Sequence, residues 1–252
     1  MNNITKFVNV KSLQPNDDEL AKINENTLKN LTSEEIYIFK LILCSNEIDR
    51  DFESFTIPTL NQLSIMFCGK SLIFDHNRTA KNQVARIYDT SIMTDSSKKT
   101  KLGEDYTYVE AKVYMLNTQK NADLISEIDA GIKKEVSVSL RIKSKKCSIC
   151  GVEFFGYSNN LPCGHEIKNE YDGKICCKRL NEAIDAYEVS FVAVPAQIDA
   201  KTKKEFENEI EEKAKENAEE NAEENAEENA EEKPKNTLIK TLGKFLLKNM
   251  EE

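Results

Sequence analysis

Residues Lys133–Leu140 read KKEVSVSL, with polar and apolar residues alternating from Glu135 onward. Successive side chains of a β-strand point to opposite faces. Val136, Val138, Leu140 and Ile142 therefore share one face, and Glu135, Ser137, Ser139 and Arg141 share the other. The first face is apolar enough to close a core. The second carries two hydroxyls side by side, which suits either a half-exposed strand or a nucleophile mounted on a rigid element.

The segments around it alternate in the same way. IYIFKLILCS (Ile36–Ser45) is rich in β-branched and aromatic residues and reads as a buried strand. SLIFDHN is a short strand ending in polar residues, and QVARIYDTSIM and TYVEAKVYML are two more, separated by the polar DSSKKTKLGED. AYEVSFVAVPAQ returns to strand. Short helices are predicted over Asp17–Leu28, from Pro58 with Leu60, Leu63 and Phe67 on one face, and over ADLISEIDAG, where Gly131 suits the C-terminal cap. Several short strands with two or three helices predict an α+β or closed-barrel domain over residues 31–200, after a polar lead-in at 1–30.

The chain has 252 residues, 39% hydrophobic and 31% charged, which fits a globular core with a highly charged appendage. Its net charge of −9 is uneven. From Lys201 onward 10 Lys face 16 Glu, a net of −6, which leaves −3 on the first 200 residues. An acidic chain without a basic stripe is a poor binder of nucleic acid. No apolar run is long enough to span a membrane, and the start MNNITKFVNVKSL has no apolar signal region.

The acidic part contains NAEE four times between Asn217 and Glu232. A four-residue period drifts by about 40° per repeat on a helix, so the alanines spiral and build no seam. Residues 201–235 thus read as a solvated helix or a disordered linker. Beyond Pro234, residues 236–252 place Leu238, Ile239, Leu242, Phe245, Leu246 and Met250 on one helical face, with Lys240, Lys244 and Lys248 on another. That pattern predicts a docking helix.

Seven cysteines point to a reducing compartment and to metal binding more than to disulfides. Cys147-Ser-Ile-Cys150 is a CxxC knuckle, followed after 12 residues by Cys163-Gly-His165 and then by Cys176-Cys177. Thiolates plus an imidazole at this spacing suit a structural, four-coordinate zinc ion held in an insertion at 145–178. The predicted ligands are Cys147, Cys150, Cys163 and His165, with Cys176 or Cys177 as substitutes. His165 being so engaged, His76 is the remaining imidazole. A serine near neutral pH needs such a base beside it to be a nucleophile, so His76 with Ser137 or Ser139 is a chemically sensible pair.

Taken in order, NEIDRDFESFTIPTL, CGKSLIFDHN, QVARIYD, DAGIKKEVSVSL and AYEVSFVAVPAQ resemble the prohead (capsid maturation) serine proteases of tailed bacteriophages, a family related in fold to the herpesvirus assemblins. The resemblance covers roughly residues 34–200. It implies a small, mostly antiparallel β-barrel flanked by short helices. It implies a histidine base in the His76-Asn77 motif and a nucleophile in Val136-Ser137-Val138, hence Ser137. Ser139 stands where the family usually has glycine and is the competing choice. A carboxylate is the chemical substitute for a third member that orients His76; Glu188 of the EVSF motif is the first choice and Asp185 the second. Backbone N–H groups or Arg141 are candidates for the oxyanion donor.

The resemblance further implies a phage-encoded endopeptidase, packaged in the assembling procapsid in the host bacterial cytoplasm. It would cleave scaffold, the N-terminal extension of the major capsid protein and itself, with self-association as a further expectation. The competing expectation is a non-enzymatic assembly or scaffolding factor that uses the same fold for binding.

Overall fold

The computed structural model describes residues 14–155 and 161–203. The acidic repeat and the amphipathic segment expected beyond them fall outside the described residues.

The chain begins with helix α1 (Asp17–Asn24), capped by Asn16, whose side chain accepts from Glu19 N–H while Glu19 reaches back to the Asn16 N–H. This helix is shorter than Asp17–Leu28. Asn24 Oδ1 accepts from the Leu31 N–H and from the Thr27 hydroxyl, and these side-chain bonds replace the next helical turn.

Strand β1 (Ile36–Ser45) is buried at every position, as a strand covered on both sides should be. Next come β2 (Glu53–Phe55), α2 (Ile57–Phe67) and β3 (Ser71–Phe74). Leu60, Leu63 and Phe67 turn the buried face of α2 onto the sheet, and each contributes roughly 1.5–3 kcal/mol by leaving water. Strands β4 (Ala85–Lys99) and β5 (Asp105–Leu116) form a long hairpin. The DSSKK half of the expected loop belongs to β4, with its side chains exposed. Backbone pairing with β5 extends the strand there without apolar side chains, which is why composition misreads it.

Helix α3 (Ala122–Asp129) ends at Gly131, whose φ of +71° suits glycine, with Gly131 N–H bonding Ile128 C=O and Ile132 N–H bonding Glu127 C=O. Strand β6 (Val136–Cys147) follows, then the short strands β7 (Glu153–Phe154), β8 (Glu170–Tyr171) and β9 (Lys174–Ile175), the long β10 (Lys178–Phe191) and β11 (Thr202–Lys203).

The main sheet runs β11-β1-β5-β4-β3-β10-β6-β7, with β2 also paired to β10, while β8 and β9 form a separate hairpin. The class is mixed α+β, mostly sheet, but the expected closed barrel is absent. No ladder joins β1 to β6. Among the described residues, the segment around Lys201 bonds to both sides: Val136 N–H bonds Ala200 C=O, Thr202 N–H bonds Lys134 C=O, and Ile42 N–H bonds Lys201 C=O. Val136, Val138, Leu140 and Ile142 do face the core, so the alternation read from KKEVSVSL is the alternation of β6.

Strand β10 departs from strict alternation. Ala186 opposes Leu140 but Glu188, two residues on, opposes Ser139, one residue back. Tyr187 is the extra residue of a β-bulge. Without the bulge Glu188 would share the core face with Ala186. With it, Glu188 and Ser190 turn onto the face that carries Ser139 and Ser137, and Val189 turns into the core.

Candidate functional site

Three segments meet on the serine face. The first is the turn after β3. Asp75 and His76 both have left-handed backbones, with φ of +50° and +54°, and Asn77 N–H bonds Phe74 C=O. Two consecutive positive φ angles closed by this bond make a tight type I′ turn. Non-glycine residues adopt it at a cost of about 1–2 kcal/mol each, with Asp and His among the more tolerant types. The turn is tied down by Asp75 N–H donating to Phe191 C=O and His76 N–H donating to Ser190 Oγ.

The second segment is the end of β10. Glu188 is 5% exposed, and its Oε1 lies 2.9 Å from His76 Nδ1. Its Oε2 accepts from the Ser190 hydroxyl at 2.9 Å. A carboxylate only accepts, so the proton between Glu188 and the ring sits on Nδ1 and leaves Nε2 with a free lone pair when the imidazole is neutral. The His76 side chain is 39% exposed, so the ring is open to a ligand from solvent.

The third segment is β6. Ser137 is the direct cross-strand partner of Ser190, and Ser139 that of Glu188. Directly opposed residues carry Cβ atoms about 4.5–5.5 Å apart on one face. Ser137 is thus brought beside the hydroxyl that touches both His76 and Glu188, and its own Oγ has no hydrogen-bond partner among the described residues. The His76 ring bonds Glu188, and neither the Ser137 nor the Ser139 hydroxyl bonds that ring among the described residues.

Sequence reasoning missed Arg78 and Ser190. Arg78 Nη2 donates to Ser139 Oγ, Arg78 Nε lies 3.7 Å from Glu188 Oε1, and the guanidinium sits 4.7 Å from the Tyr187 ring centroid. Ser190 was legible in one respect: it lies two residues after Glu188, and a strand puts such residues on one face. Of the alternatives, Asp185 pairs across the ladder with Arg141 and neither joins the cluster around His76.

A second cluster lies at the far end of β6. One donor atom each from Cys147, Cys150, Cys163 and His165 falls within 4.8 Å of the others, so this group could hold a metal ion. Local turns build it. Cys147 N–H bonds Val152 C=O and Gly151 N–H bonds Cys147 C=O, bending the chain after Cys150 through Gly151 at φ +74°. The His165 ring is held edge-on to Tyr171, 4.6 Å between centroids. The Val152 N–H directed at Cys150 draws its thiol down to about 7, toward the thiolate that binds metals, while burial pushes the Cys147 thiol up. Cys176 is buried beside Cys147 in the small core with Phe154 and Leu161, and neither it nor Cys177 belongs to the four-donor group.

No described helix is long and apolar enough to cross a membrane. Comparison with protein-family models, with curated proteins and with solved structures finds no match to this chain.

Proposed function

We propose that this chain is a serine endopeptidase of phage head assembly, with Ser137 as nucleophile, His76 as general base and Glu188 as the carboxylate that orients the base. One observation carries the reading: His76 Nδ1 lies 2.9 Å from a nearly buried Glu188 carboxylate on the face that β6 furnishes with serines. A lone surface histidine has no need of a buried acid. A base that must keep one tautomer and carry a transient positive charge does.

The two serines divide by their partners. Ser139 Oγ already accepts a hydrogen bond from the Arg78 guanidinium, which occupies a lone pair and lowers its nucleophilicity. Ser137 Oγ is unengaged among the described residues and takes the nucleophile's role. As Ser137 Oγ attacks a peptide carbonyl, its proton passes to His76 Nε2, and Glu188 stabilises the imidazolium. The tetrahedral adduct collapses when His76 returns that proton to the leaving amine. Water, deprotonated by the same ring, then releases the acyl group from Ser137. The chemistry is that of the prohead proteases which the sequence resembles. The substrates in this reading are scaffold, the capsid-protein extension and the chain itself, inside the procapsid in the host cytoplasm.

The cysteine cluster is read as a structural zinc site. Three thiolates and one imidazole fill a tetrahedral shell and leave no position for a catalytic water.

Co-expression with the phage's capsid and scaffold proteins tests the assignment. Ser137→Ala and His76→Ala should each abolish processing, and Ser139→Ala should retain it. Normal processing in His76→Ala would leave the assembly-factor reading in place.

A further inference from the structure

Ser190 is fully buried, yet its hydroxyl is spent on two particular partners. It donates to Glu188 Oε2 at 2.9 Å and accepts from the His76 backbone N–H at 2.9 Å. A serine hydroxyl has one proton and two lone pairs, so one group can serve acid and base at once. Building on the protease reading, we infer that Ser190 is a positioning residue, which locks the Glu188 carboxylate onto His76 and keeps it from Arg78.

The backbone argument comes first. Three consecutive N–H groups of the turn are satisfied: Asp75 by Phe191 C=O, His76 by Ser190 Oγ, and Asn77 by Phe74 C=O. The middle one has only a side chain to bond. It belongs to the residue whose φ of +54° sets the direction in which the imidazole leaves the chain. Removing that hydroxyl leaves the N–H unpaired and the left-handed turn with one fewer restraint.

The carboxylate argument is a competition. Glu188 Oε1 has two suitors, His76 Nδ1 at 2.9 Å and Arg78 Nε at 3.7 Å. A guanidinium that takes both oxygens of a carboxylate makes a stronger, bidentate pair than a neutral imidazole N–H can. Arg78 is already beside the group, held by Ser139 and stacked on Tyr187. What prevents the bidentate pair is that Oε2 is engaged by Ser190, which fixes the rotation of the carboxylate with Oε1 toward the ring. The bulge at Tyr187 makes this geometry available, because it puts Glu188 and Ser190 together on the serine face.

The test uses the full chain and a fluorophosphonate probe, which needs no known substrate. The activated Ser137 oxygen bonds phosphorus, fluoride leaves, and the serine proton goes to His76. Ser190→Ala should slow labelling roughly 10- to 100-fold through misplacement of the base. Adding Arg78→Ala to Ser190→Ala should recover most of that loss, since the competitor is gone.

A readout independent of activity is the imidazole nitrogen spectrum, simplified by there being only two histidines. Wild type should show His76 as the Nδ1–H tautomer, and Ser190→Ala should show a mixture. Should Ser190→Ala fail to fold, Ser190→Cys keeps the size and a weak donor and should fall between the two. An unchanged tautomer together with an unchanged labelling rate overturns the inference. A wild-type chain that is never labelled, but whose His76 tautomer depends on Ser190, removes the protease reading and leaves the positioning role standing.

Discussion

The cysteine cluster and the serine face are both anchored on β6, at its two ends, and they are built in opposite ways. The cluster draws its four donors from Cys147 to His165, and glycine turns close it locally. The serine face joins residues more than 100 positions apart and exists only because β3, β10 and β6 are neighbours in one sheet. A local site needs a ligand to hold it, since a small core of Cys147, Phe154, Leu161 and Cys176 gives little burial. A site spread over three strands inherits its rigidity from the main core beneath it.

The largest expected effect separates the two regions outright. Ser137→Ala should lower the rate of fluorophosphonate labelling by at least about 1,000-fold and leave bound metal unchanged, as measured by intact-protein and elemental mass spectrometry. Loss of metal in that variant would mean that the two sites are coupled. The converse experiment removes the metal. Treatment with a strong chelator, or Cys150→Ser, should strip amide-exchange protection from residues 161–177 while β1 and β5 keep theirs. Equal loss in both regions would show that the cluster supports the whole domain.

Within the serine face the expected effects grade downward. Glu188→Gln keeps the shape but offers the ring an amide in place of a carboxylate. Labelling should fall by roughly 100- to 10,000-fold, by the logic that governs the acid of a triad. Ser139→Ala should change the rate by less than about tenfold, since it removes only an anchor of Arg78; a loss as deep as that of Ser137→Ala would exchange the roles of the two serines.

The smallest effect concerns stability alone. Asp49, in the loop between β1 and β2, accepts the N–H groups of Asp51 and Glu53, and burial raises its carboxyl from 3.8 to about 6. The folded state therefore keeps a proton that the unfolded chain gives up. This group's contribution to stability is present at low pH and declines as pH rises from about 4 to about 6. Asp49→Asn should flatten that decline in the dependence of Tm on pH, and an unchanged slope would contradict the assignment.

How much of this was legible in the sequence follows the same division. The four-donor cysteine cluster could be named from spacing because its geometry is local. Strand β1 was readable because a run of buried residues needs no partner to identify it. The alternation of β6 was equally plain. Glu188 was chosen as a carboxylate of the EVSF motif, but the reason it can face His76 is the Tyr187 bulge, and a bulge has no signature in a single sequence when the extra residue is an ordinary tyrosine. Ser190 and Arg78 depend on that bulge and on the left-handed turn at Asp75-His76, so their roles appear only once the strands are paired. The closed barrel was expected from the number of strands. Six strands were read where the described residues form eleven, and closure depends on which edges pair: no ladder joins β1 to β6, and the residues around Lys201 bond to both sides of that opening.

The most direct test of the central claim is to map where a fluorophosphonate attaches, by peptide mass spectrometry, in wild type and in His76→Ala. The account predicts a single adduct on Ser137 in wild type and none in His76→Ala over the same time. An adduct on Ser137 that forms equally fast without His76, or no adduct at all on the correctly folded wild-type chain, would contradict it.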